Sequence, residues 1–146
     1  MPTRYLLDTS ALLAHNRGEP GSADVQKLFE EGDAEILIAS VSITELARRL
    51  RELGATVAEA RQTAMDYQQM MDEVVSVDGP VALSAFEVGC QTPKRLPLVD
   101  ALIAAAARER RARLVHRDPH FAPVPTHLLD QLDLSAEAQA SSVPRS

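Results

Sequence analysis

At 146 residues the chain is long enough to bury one apolar core unaided, and its single cysteine, Cys90, makes neither an internal disulfide nor a multi-cysteine zinc site. Its 45% hydrophobic and 25% charged residues exclude general disorder, and a net charge of −6 excludes a protein that coats nucleic acid by bulk electrostatics. The longest apolar run, Ala101–Ala107, is far short of the roughly 20 residues of a membrane span, and the amino terminus carries no export pattern, so a cytosolic, membrane-free protein is expected.

In chain order, Tyr5–Leu7 is a short buried strand that breaks into Asp8-Thr9-Ser10, with a helix starting at Ala11-Leu12-Leu13. Pro20-Gly21 marks a turn, and Ser22–Glu31 carries Val25, Leu28 and Phe29 at helical spacing before Gly32. Glu35–Ala39 is a second strand. Ser42-Ile43-Thr44-Glu45 has the spacing of a capping box, which predicts a helix from there through Leu46 and Leu50 to Gly54. A helix over Val57–Asp72, a strand at Val74–Val77 and a helix over Pro80–Val88 follow.

Pro93 and Pro97 bound a loop. Leu98–Arg111 is the clearest helix, with Val99, Leu102, Ile103, Ala106 and Ala107 on one face and arginines in the last turn, where they suit the helix dipole. Leu114–His116 is a strand ending at the turn Arg117-Asp118-Pro119, and Thr126–Leu132 adds an edge strand. A single domain over residues 1–134 and a frayed tail over 135–146 are expected. Strands alternating with helices predict an α/β domain whose mainly parallel sheet of four to five strands is covered on both faces.

In such a sheet the functional crevice lies outside the carboxyl ends of the strands. Asp8 and Asp118 follow two predicted strands directly, and Glu45 and Asp100 fall in the first turns of two helices. Each has a structural alternative: Asp8 as a helix cap, Glu45 as the capping-box partner of Ser42, Asp100 as a first-turn carboxylate, Asp118 as a turn former. Their shared position at one end of the sheet favours a single site. Clustered carboxylates repel one another, and a divalent cation relieves this; oxygen ligands suit magnesium or manganese. Thr9 and Ser10 can donate the hydrogen bonds that hold the carboxylates in place.

Four stretches, Leu6-Leu7-Asp8-Thr9-Ser10-Ala11-Leu12, Ser42-Ile43-Thr44-Glu45-Leu46, Leu98-Val99-Asp100-Ala101-Leu102-Ile103-Ala104 and Leu114-Val115-His116-Arg117-Asp118, resemble the successive motifs of PIN domains, in particular VapC-type toxins. The resemblance spans roughly residues 4–132. It implies a PIN-like three-layer α/β sandwich and an endoribonuclease that uses Mg2+ or Mn2+. By that resemblance Asp8, Asp100 and Asp118 lie near the metal and Glu45 completes a catalytic quartet. It also implies a toxin acting on RNA, a cognate antitoxin that occludes the site, and a homodimer. The alternatives are a PIN nuclease of RNA maturation and a catalytically silent PIN-like binding protein.

One departure stands out: His116 occupies the position, two before the last aspartate, where the family usually has Thr or Ser. A ring nitrogen can replace the hydroxyl's hydrogen bond or alter metal geometry and pH response. His120 is read as structural rather than as a ligand. Arg108, Arg110, Arg111, Arg113 and Arg117 form a basic run that is either a rim for RNA beside the site or a solvated helix end, and Arg48, Arg49 and Arg51 either approach RNA or pair with a partner's acidic side chain. Few aromatic residues are available for base stacking, so substrate choice is expected to come from shape and backbone contacts. Met65, Met70 and Met71 are read as packing a helix or subunit interface, with the apolar faces around Leu53–Met71 compatible either with a dimer interface or with an ordinary core.

Overall fold

The computed structural model describes residues 2–135; of the frayed tail expected over 135–146, all but Ser135 lies outside the described residues. Five strands, β1 (Thr3–Leu7), β2 (Ala34–Ala39), β3 (Glu73–Val75), β4 (Arg113–His116) and β5 (Gln131–Asp133), form one sheet in the order β3-β2-β1-β4-β5. Every pairing is parallel, with Leu6 opposite Leu37 on one side and Leu114 on the other. Six helices connect them: α1 (Thr9–Arg17), α2 (Ser22–Glu30), α3 (Ser40–Glu52), α4 (Val57–Met70), α5 (Gly79–Gln91) and α6 (Leu98–Glu109).

Adjacent strand residues point to opposite faces, and here both faces are covered, which is why β1, β2 and β4 read as nearly continuous apolar runs. Leu6, Leu37, Ala39 and Leu114 pack with α5 and α6, and Leu7, Ile36, Ile38 and Val115 pack with α1 to α4. The result is the three-layer α/β sandwich expected. Ala104, Ala105, Ala106 and Ala107 of α6 are fully buried, small side chains that let this helix lie close against its neighbours.

The capping box expected at Ser42 and Glu45 is not formed. β2 runs into α3 without a loop, so the helix begins at Ser40 with Ala39 as its cap, and Ser42 falls inside the first turn. The Ser42 hydroxyl is buried with no hydrogen-bond partner among the described residues. A capping box does close at α4, where Thr56 Oγ1 accepts from the Glu59 N–H at 3.1 Å and Glu59 Oε1 accepts from the Thr56 N–H at 2.9 Å. The edge strand expected over Thr126–Leu132 is confined to Gln131–Asp133, because residues 119–128 turn tightly and bury Phe121, Val124 and Leu128 instead.

The chain passes from β1 outward to β2 and β3, then crosses to the other side of β1 to make β4 and β5. The order therefore reverses between β1 and β4. The crevice beyond their carboxyl ends is the place where such a sheet presents a site.

Candidate active site

Asp8 leaves β1 at that crevice. Its N–H donates to the Val115 carbonyl of β4 at 2.9 Å, and its side chain caps α1. Asp8 Oδ2 accepts from the Ser10 N–H at 3.1 Å and from Ser10 Oγ at 2.5 Å, while Ser10 Oγ accepts from the Arg117 N–H at 2.9 Å. Ser10 thus ties the first acidic segment to the last. The cap and the site are one role, since a carboxylate that caps α1 faces the crevice by the same geometry.

Thr9 Oγ1 donates to Glu45 Oε1 at 2.5 Å, so Glu45 is held by the residue after Asp8 rather than by Ser42. Asp100 sits in the first turn of α6, and Asp118 follows β4 and caps a single 3₁₀ turn, Pro119–Phe121, by accepting from the His120 N–H at 2.9 Å. Asp8, Glu45, Asp100 and Asp118, with Thr9 and Ser10, line one cavity of 380 Å³. Four segments far apart in the sequence are thereby brought to one cavity wall.

His116 is fully buried and stacks at a tilt on Phe121. Its Nδ1 accepts from the Asp118 N–H at 3.1 Å, which leaves the proton on Nε2 to donate to Gln131 Oε1 at 2.8 Å. Gln131 Nε2 in turn donates to the Phe121 carbonyl, which fixes the amide's orientation. The imidazole therefore supplies the acceptor that orients Asp118 and belongs to the packed wall behind the cavity.

Burial pushes the Asp8 carboxyl up to about 6, opposed by the Ser10 hydrogen bonds and aided by the charges of Glu45 and Asp118. Burial likewise pushes Asp100 up to about 7, reinforced by Asp118 and Asp8 and opposed by His120. Both acids are held in a place where negative charge is costly without a cation.

Three features that the sequence leaves open or reads as structural take a definite place here. His120 Nδ1 lies 3.0 Å from Asp100 Oδ2 and 3.2 Å from Asp118 Oδ1, although its side chain is 58% exposed. The signal was Asp118-Pro119-His120, in which proline forces the turn that returns the ring to the carboxylates. Arg48 and Arg49, one turn beyond Glu45 on α3, and Glu52, two turns beyond it, also line the cavity. Most of the carboxy-terminal basic run lies elsewhere. Arg108, Arg110 and Arg113 stand at the carboxyl end of α6 and the amino end of β4, opposite the acidic crevice, paired with Glu87, Glu73 and Asp130. That part is a helix end and not a rim for the site.

The PIN domain family model matches residues 5–126, most of the chain. The chain belongs to the PIN domain family. No curated protein matches its sequence. Among solved structures, VapBC2 from Rickettsia felis, bound to a DNA fragment from the promoter, is similar at 18% identity with a TM-score of 0.71, over 90% of this chain and 98% of that one. VapBC-1 from nontypeable Haemophilus influenzae gives 14% identity and a TM-score of 0.71 over 91% and 99% of the two chains. VapBC-5 from Mycobacterium tuberculosis, a member of the VapBC family of toxin-antitoxin systems, gives 22% and 0.63 over 90% and 99%. At these identities the likeness is one of fold.

The donor set of this PIN domain fits a hard divalent cation. Ligand atoms of Asp100, Asp118 and His120 lie within 4.8 Å of one another, and Asp8 and Glu45 share the same cavity wall. Carboxylate oxygens predominate in this set, as suits a hard cation. Among the described residues no helix is long and apolar enough to cross a membrane.

Proposed function

We propose that this PIN-domain protein is a divalent-metal-dependent endoribonuclease of the VapC type, the toxin of a cytoplasmic toxin–antitoxin pair. The observation that carries the reading is the convergence of Asp8, Glu45, Asp100 and Asp118 on one cavity at the point where the strand order reverses. Raised carboxyl pKa values for Asp8 and Asp100 support it, because such a site favours cation binding over solvation alone.

Asp8, Asp100 and Asp118 would hold the cation. When bound, Mg2+ or Mn2+ supplies a Lewis acid that acidifies a water and offsets charge on a phosphodiester. The protein's own groups prepare the site for it. Ser10 fixes the orientation of Asp8, and His116 and the His120 N–H fix Asp118. Glu45 is anchored through Oε1 by Thr9, and its Oε2 would take a proton from the attacking water. Cleavage leaves one product with a new phosphate end and the other with a hydroxyl, the net addition of water across a P–O bond.

An antitoxin partner is proposed from the fold shared with toxin–antitoxin complexes, including one from Klebsiella pneumoniae. A homodimer is proposed with it, and Val57 and Met70 of α4 are among the large apolar side chains left exposed on this chain. The test is incubation of the purified, antitoxin-free protein with structured RNA. Internal cleavage in magnesium or manganese that stops with EDTA is expected. Intact RNA in both metals, with no metal-induced rise in melting temperature, would leave a binding protein as the better description.

A further inference from the structure

The arginines of α3 are left between two roles by the sequence, and the structure separates them. The acidic cavity is lined by five acidic residues, Asp8, Glu45, Glu52, Asp100 and Asp118, and by two arginines, Arg48 and Arg49. Arg49 is committed to Glu52 at 2.7 Å. Arg51 is not part of the cavity wall and donates to the Ala55 carbonyl. Arg48 lies three residues after Glu45, hence on the same side of the helix. It makes no hydrogen bond or ion pair with any described residue.

Arg48 also borders a second, mostly apolar groove of 430 Å³ between α3 and α4, lined by Ile43, Ala47, Val57 and Ala60. It is therefore a residue shared by the walls of the acidic cavity and of that groove. An arginine in the wall of an acidic cavity that pairs with no described carboxylate is available to an external anion. Its planar fork matches two oxygens of a phosphodiester. Asp100 and Asp118 line the cavity from α6 and from the turn after β4, whereas Arg48 lines it from α3, on the side of the α4 groove.

We infer that Arg48 binds the RNA backbone phosphate that flanks the cleaved bond on the α4 side, and so positions the strand; this rests on the nuclease reading above. Arg48 acts on binding, and its loss leaves the cation and the four acids in place.

The test compares the parent with Arg48→Gln, Arg48→Lys and Arg110→Gln on an RNA that the parent cleaves, reading KM, kcat and the salt dependence of binding. For Arg48→Gln, KM rises about tenfold, as expected for one charge-assisted contact, with kcat within about twofold. The slope of log affinity against log salt falls by about 0.7, the contribution of one single-strand phosphate. Arg48→Lys recovers part of the affinity. Arg110→Gln, which removes an arginine paired with Glu73 at the opposite end of the sheet, matches the parent. Parental KM and slope in Arg48→Gln would overturn the assignment while the nuclease reading stands. So would an equal loss in Arg110→Gln, which would mark general electrostatics, or a fall in kcat at constant KM. A parent that cleaves no RNA in either metal overturns both readings.

Discussion

At the scale of single residues, the site is governed by what Asp8 and Asp100 do with a proton. Unfolded, both ionise as ordinary carboxylates near pH 4; folded, burial and neighbouring acids move them to about 6 and about 7. Between those limits the native state holds protons that the unfolded chain has released, so their contribution to stability is full at low pH and is lost as pH rises through 6 and 7. A bound divalent cation reverses the preference by stabilising the ionised forms. Thermal unfolding in EDTA and in magnesium from pH 5 to pH 8 checks this: the rise in melting temperature caused by magnesium is expected to grow with pH. An increment that stays constant across that range would show that these carboxyls do not titrate against the metal. Asp8, Asp100 and Asp118 are legible as candidates because each follows a strand or opens a helix. Their proton affinities are not, since burial depends on α3 and α6 closing over them.

At the scale of elements, the misread start of α3 shows what local spacing omits. Ser42-Ile43-Thr44-Glu45 satisfies a capping box on paper, but β2 continues without a break into Ser40, and the register of the sheet overrides the local preference. Glu45 is thereby released to meet Thr9, a contact across 36 residues that no local pattern reveals. The paired consequence is measurable by denaturant unfolding. Ser42→Ala is expected to change stability by less than about 0.5 kcal/mol, whereas Thr56→Ala, at the box that does form, costs about 1 kcal/mol. Equal losses for the two would restore the box at Ser42. The strong helices and the buried strands β1, β2 and β4 follow from apolar periodicity. β5 does not, because its three residues are paired only on the β4 side and lack a pattern of their own.

At the scale of the whole molecule, strand order decides which charges meet. Crossing from β3 to β4 brings Asp118 beside Asp8 at one end of the sheet and sends Arg108, Arg110 and Arg113 to the other, where nearby acids neutralise them. The sequence shows both clusters with equal clarity; only the topology separates the acidic crevice from the basic helix end. On the function proposed above, a protein of net charge −6 would attract RNA through a local cation and Arg48 rather than through its overall charge. The most direct test of this account is the rate of RNA cleavage in magnesium by Asp8→Asn, a change that keeps a hydrogen-bonding cap for α1 while removing the charge. A loss of at least about a hundredfold with the melting temperature in EDTA maintained is predicted, as for removal of one electrostatic group from a catalytic site. Cleavage by Asp8→Asn at the parent's rate would contradict the assignment of these four acids to one active site.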